Sequence, residues 1–302
     1  MKKFAISVDS CVDHYKSYIE GKDVYYIILK HIIGGVPYEH MYDSPEEYER
    51  FYESIRRGAM PTTSQLSPFE MQEYFERILQ KEPERDIIHI PLSSGLSSTC
   101  DNAKAAAAKL NEGLSGRRIY VMDSLAATTS IALLTDRLIE MRDLGLSAAE
   151  AVKKLEYIRD RIQLWAIVGD LSHLRRGGRL SVIKATVGTI LKIKPILIID
   201  AAGKLTVECT AKGTKNAVEC VLDKMKRYGP PGDSGFEKRG VYLTQTSAPE
   251  TYAAFKEALL ERYPRARIIK EGFTGPIIGT HVGPGTMAVV FEGKERLPGK
   301  KN

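Results

Sequence analysis

An α/β architecture is predicted by three observations. Short apolar runs alternate with amphipathic segments of helical period along the 302 residues. Three of the runs end on Asp or Ser: Asp9-Ser10, Ser93-Ser94 and Asp123-Ser124. Open α/β sheets place ligands beyond the carboxyl ends of their strands, so these endings collect hydroxyls on one rim. The pattern then changes near residue 162, which divides the chain into residues 1–161 and 162–302. The first part is expected to be a mainly parallel sheet with flanking helices, the second a mixed sheet with helices.

Phe4 to Val8 reads as the first strand. DVYYIILKHIIGG reads as a second, and SPEEYERFYESIRRG as a helix with a Ser44–Glu47 capping box and a stop at Gly58. Ser67-Pro68 opens another helix, leaving Pro61 to Gln65 as a hydroxyl-rich loop. DIIHIPLSSGLSSTCDNAKAAAAKL is strand, tight loop and helix, with Ser98 or Thr99 at the N-cap. The unpaired N–H groups of such a helix start suit a carboxylate or phosphate. RRIYVMDS is a further strand, followed by a long amphipathic helix and a connecting helix from Ser147.

Beyond residue 162, QLWAIVGD is a strand and LSHLRRGGRLS a short helix with a Gly pair. VIKATVGTILK is an apolar helix, and KPILIIDAAGKLTVECTAKG a hairpin turning near Ala202-Gly203. Thr214 is placed to cap the next helix and GPPGDSG is a loop. The chain closes with strand, helix and strand, then TGPIIGTHVGPGTMAVVFEG as a Gly-rich loop holding His281 before a last strand.

The net charge of +6 is spread along the chain and lacks the dense basic stripe of a nucleic-acid surface. Cys11, Cys100, Cys209 and Cys220 form no CxxC pair and have no histidines at ligand spacing, so they read as reduced thiols with no metal. The N-terminal apolar run is too short for a signal peptide, and no segment is long enough to span a bilayer. A cytoplasmic protein is expected.

Motifs for nucleoside triphosphates, HExxH zinc sites and GxSxG elbows are absent. Gly283-Pro-Gly285-Thr-Met-Ala288 imitates a dinucleotide fingerprint but precedes its strand. Ser181-Val-Ile-Lys184 matches SxxK without the companion motifs. A serine-dependent acyl or phosphoester hydrolase using Ser94 or Ser97 with His281 is one reading of the hydroxyl-rich loops. An interaction protein with a degenerate pocket is another.

PTTSQLSP, PLSSGLSSTCDNA, VMDS, GDLSHLRRGGRLS…LKIKPIL and GTHVGPGTM occur in the order and spacing of the DegV family, which the chain resembles over essentially its whole length. The resemblance implies a two-domain bacterial α/β protein that binds one long-chain fatty acid between its domains. It has no catalytic residues, cofactor or metal of its own. Such a protein can present the acyl carboxylate to a separate fatty acid kinase, with transient contact at a membrane surface.

Carried over by position, the resemblance assigns Thr63, Ser94 and His281 to the carboxylate. Ser97 is a further candidate, more naturally a cap, and Arg179 can meet a phosphate or tie down its own loop. The chain departs from the family at Ser98, where a glycine is usual. For the acyl tail, Ala103 to Ala108 and the Thr186–Leu191 segment are the candidate apolar surfaces.

Overall fold

The computed structural model describes residues 3–179, 193–231 and 235–299. The expected helix at Thr186–Leu191, the Ser181–Lys184 motif and part of the GPPGDSG loop lie outside the described residues.

In chain order the first half contains β1 (Phe4–Asp9), α1 (Lys16–Gly21), β2 (Val24–Ile27), β3 (His31–Ile33), β4 (Val36–Tyr38) and α2 (Pro45–Arg56). It continues with β5 (Thr62–Thr63), α3 (Pro68–Lys81), β6 (Asp86–Ile90), α4 (Thr99–Asn111), β7 (Ile119–Val121), α5 (Thr129–Asp143) and α6 (Ala148–Arg159). Strands β2-β1-β6-β7, in that order, form a parallel sheet. All six residues of β1 are buried, as a strand covered on both faces requires.

The second half contains β8 (Ile162–Ile167), α7 (Ser172–Gly177), β9 (Ile193–Ile199), β10 (Leu205–Lys212), α8 (Gly213–Tyr228) and α9 (Gly235–Arg239). It ends with β11 (Val241–Gln245), α10 (Pro249–Arg262), β12 (Ile268–Phe273), α11 (Pro276–Val282) and β13 (Met287–Glu292). These strands make a mixed sheet in the order β10-β9-β8-β13-β11-β12, with only the β11–β12 pair parallel.

Helix α5 joins the two sheets, packing on β1 and on β8, β11 and β13. One buried apolar cluster accordingly runs from Phe4 to Val290. At this seam Asp136 of α5 accepts hydrogen bonds from Tyr18 at 2.7 Å and Tyr242 at 2.8 Å, and pairs with His14 Nε2 at 3.1 Å. A largely enclosed carboxylate is stable only with such a full set of partners.

Several local expectations need correction. DVYYIILKHIIGG is two strands in two sheets: the ladder breaks where the Leu29 N–H turns to Ser10 Oγ at 3.0 Å. Strand β3 then pairs with β4 and with β5, so Thr62 and Thr63 belong to a small antiparallel sheet and not a loop. Ser44 makes no side-chain cap; Glu47 takes the Asp43 N–H instead, at 2.7 Å. Thr214 is not a cap, because α8 already begins at Gly213. At α4 the N-cap Ser98 makes no side-chain bond, and Ser97 Oγ accepts the Thr99 N–H. The hairpin does turn at Ala202-Gly203, where Asp200 accepts the Ala202 and Lys204 N–H groups. His281 stands on a helix, in the last turn of α11, and the Gly-rich loop follows it.

Candidate functional site

Helix α11 is short, and its placement is set by small residues and buried partners. A Cβ at Gly279 would lie 2.5 Å from the Tyr52 hydroxyl, so only glycine lets α11 settle on α2. The Tyr52 hydroxyl donates to the Thr274 carbonyl at 2.6 Å, and the Gly275 N–H donates to Asp13 at 2.9 Å. These contacts fix the start of the helix. At its other end Gly283, with φ of +73°, stops it.

His281 Nε2 there lies 2.8 Å from Thr63 Oγ1. Alternation along β5 leaves Thr62 exposed and directs Thr63 inward. Across from the ring, Gly177 of α7 comes so close that an added Cβ would be 2.5 Å from Nδ1. Burial, helped by the Arg179 charge, lowers the His281 pKa to about 4, so the imidazole is neutral near pH 7 and has one N–H donor and one acceptor nitrogen.

Thr63 and His281 edge a cavity of about 420 Å³, within the roughly 300–1,000 Å³ range of small-molecule sites. Its other walls come from both halves of the chain. Leu164, Ala166, Val168, Leu197, Ile199 and Leu205 give a continuous aliphatic floor on β8, β9 and β10 and the residue after β8. Leu92, Leu96 and Ala127 close it from the loops that follow β6 and β7.

The serine loop is positioned by buried polar groups. Asp9, at the end of β1, accepts the Leu92 N–H at 2.7 Å and the Cys11 N–H at 2.9 Å. Ser93 donates to the Gly203 carbonyl at 2.8 Å, docking this loop on the β9–β10 turn. Side chains at either contact glycine would collide: a Cβ on Gly95 would meet Gly203 O at 2.6 Å, and one on Gly203 the Ser93 hydroxyl.

The expected site residues separate here. Thr63 and His281 come together. Ser97 and Arg179 also line the cavity, although Ser97 Oγ donates to Thr99 Oγ1 at 3.0 Å and the exposed Arg179 donates to the Gly177 carbonyl. Ser94 does not reach the cavity wall. Its N–H goes to Asp123 at 3.2 Å, and its hydroxyl bonds the same carboxylate. Burial pushes the Asp123 pKa up, but those bonds, the Leu125 N–H and Lys104 bring it below the usual carboxylate range. Of the expected apolar surfaces, Ala103 to Ala108 contribute no lining residue.

Two features were missed by reasoning from sequence. Ser93 is the docking serine, indistinguishable in sequence from its neighbour. Five threonines, at 128, 244, 246, 274 and 286, also line the cavity; the Thr-x-Thr spacing at 244–246 was the available signal. Among the described residues no cluster of His, Cys, Asp or Glu could hold a metal, and no helix is long and apolar enough to cross a membrane.

A family model described as "Uncharacterised protein, DegV family" matches residues 3–294. A DegV domain-containing protein of Clostridium perfringens is 31% identical over 99% of this chain and 100% of its own length. A solved Thermotoga maritima structure, described as revealing fatty acid binding function, is 28% identical with a TM-score of 0.76, covering 97% of this chain and 100% of that one. The structure of DegV from Bacillus subtilis, described as a fatty acid binding protein, is 26% identical with a TM-score of 0.78 over 97% and 100%.

Proposed function

The chain belongs to the DegV family, and from that premise we propose that it binds one long-chain fatty acid in the cavity between residues 1–161 and 162–302. The observation that carries this reading is an aliphatic cavity edged by a neutral histidine hydrogen-bonded to a threonine. Similarity to the Thermotoga and Bacillus proteins described as binding fatty acids supports it.

The acyl tail supplies most of the affinity, each buried methylene contributing roughly 0.8 kcal/mol before ordering costs. The head group sets position. Thr63 and His281 hold the carboxylate, with Ser97 and Arg179 beside it; Ser94 acts at one remove, by fixing the loop through Asp123. A carboxylate next to the imidazole favours its protonated form, so binding takes up a proton at pH values just above the free-site pKa.

The protein itself is not an enzyme on this reading. It presents the carboxylate to a separate fatty acid kinase in the cytoplasm and collects its ligand at a membrane surface. The hydrolase alternative has less support, because the hydroxyl at His281 is that of Thr63, whereas Ser97 donates to Thr99. Organic extraction of purified protein followed by mass spectrometry tests the binding: a fatty acid near one equivalent is expected. A protein that neither carries such an acid nor takes one up overturns the reading. Formation of acyl phosphate from the loaded protein, ATP and a fatty acid kinase tests the presentation role.

A further inference from the structure

Along its edge strand β10 the mixed sheet changes the face that its side chains serve. Leu205 and Val207 pack on the apolar cluster that carries the cavity floor, whereas Cys209 and Ala211 pack on a second cluster, beneath α8. Strict alternation would leave all four on one face. The pairing with β9 shows why it does not: Val207 stands opposite Leu197 and Cys209 opposite Ile196, so Glu208 is the extra residue of a bulge. The bulge turns Cys209 toward α8.

Helix α8 packs on β9 and β10, and its Cys220 meets the turned side chain there. Cys209 Sγ and Cys220 Sγ lie 3.4 Å apart. Both are free thiols on partly exposed residues, unlike the buried Cys11 and Cys100 in the other half of the chain. Lys224, one helical turn on from Cys220, donates to Glu208 at 3.0 Å and so brings a cation to the same place.

Burial and the Cys220 thiol push the Cys209 thiol up to about 12, with the Lys224 charge acting the other way. Near neutral pH Cys209 therefore keeps its proton and is a slow nucleophile by itself. Its neighbour changes that. Once either sulfur carries a leaving group, the other is already in contact with it, and the second step is intramolecular.

We propose that Cys209 and Cys220 form a reversible oxidation site that takes a low-molecular-weight disulfide, RSSR, as its oxidant. One cysteine attacks RSSR as its thiolate and expels one RS⁻, leaving a mixed disulfide; the other then attacks that cysteine's sulfur and expels the second RS⁻. The two thiol protons end on two RSH. RSSR is reduced, the pair is oxidised, and an excess of thiol runs the exchange backwards. Closure from 3.4 Å to the roughly 2.05 Å of a covalent bond ties β10 to α8. Strand β10 has a sheet partner on one side only, β9, so this tie secures the strand that gives Leu205 to the cavity floor.

The test uses full-length protein freed of reductant, incubated with oxidised glutathione at mildly alkaline pH, with the remaining thiols then blocked by iodoacetamide. Trypsin cuts at Lys212 and Lys215, between the two cysteines, so the disulfide is read as a pair of cross-linked peptides by mass spectrometry. The Cys209–Cys220 cross-link is expected, with Cys11 and Cys100 alkylated, and dithiothreitol removes it. The melting temperature of the oxidised protein rises by roughly 5 °C, as closing a short loop implies. Cys209→Ser and Cys220→Ser each abolish both the cross-link and the shift. Melts in dithiothreitol check that the variants fold; should one not fold, the other carries the same test.

The proposal is overturned if all four thiols stay alkylated, if the parent stops at a glutathione mixed disulfide, or if the cross-link joins Cys11 or Cys100. A cross-link that leaves the melting temperature unchanged or lower, or a shift that survives in a folded serine variant, overturns the tie between β10 and α8.

Discussion

The two ends of α11 differ more than seven residues of helix would suggest. At its start, Gly275 and Thr274 are held by Asp13 and Tyr52, and Asp13 and its partner Thr128 both have positive φ, at 54° and 55°. At its end, His281 has one threonine partner beside an exposed arginine. Non-glycine residues keep such backbone conformations only where their surroundings fix them. The closed end therefore holds the open one: the site histidine is aimed by buried groups a helix length away.

The largest effect follows from lifting the whole helix. Gly279→Val places a side chain against Tyr52 and Phe51 and is expected to cost about 3 kcal/mol or more of stability, read by urea denaturation. A variant as stable as the parent would show that α11 is not pinned.

The two ends also carry opposite pH signatures. Burial, partly offset by the Thr128 hydroxyl, Lys270 and the Gly275 N–H, raises the Asp13 pKa from 3.8 to about 6. Its contribution to stability is full below the unfolded value near 4 and is lost as pH rises through 6, a change on the order of 2–3 kcal/mol. For His281, lowered to about 4, the contribution is full above roughly 6.5 and is lost as pH falls through 4. Urea midpoints from pH 4 to 7 for Asp13→Asn and His281→Gln, each subtracted from the parent, should slope in opposite directions. Parallel curves would remove the distinction.

At the open end, Gly177→Ala drives a methyl into the imidazole. About a tenfold loss of fatty-acid affinity is expected with a small change in melting temperature, and unchanged affinity would mean that the ring is not held by this contact. Thr63→Val, removing one hydrogen bond, should lower affinity about fivefold. Ser94→Ala should have the smallest effect, within about twofold, since its bonds go to Asp123 and not to the cavity. A large loss there would return Ser94 to the carboxylate.

Much of this architecture was legible in the chain. The alternation of apolar runs and amphipathic segments identified most strands and helices, because burial face and period are local properties of sequence. The capping boxes at Ser67 and Ser147 formed because both of their residues lie within one turn. The Ser44–Glu47 pair has the same spacing, yet Glu47 found a different N–H. Thr63 and His281, 218 residues apart, could be paired in advance only through family resemblance.

The sequence by itself determined the order of the main strands and helices, the absence of nucleotide and zinc motifs, and the family blocks that carry the hydroxyl loops. Tertiary structure decided which hydroxyls face inward. Ser93, Ser94 and Ser97 are chemically alike, and only the approach of the β9–β10 turn, Asp123 and Thr99 assigns them to docking, loop fixation and the cavity wall. The lining threonines were equally hidden, because partners such as Thr244 and Thr274, or Thr246 and Thr286, lie on segments distant in sequence.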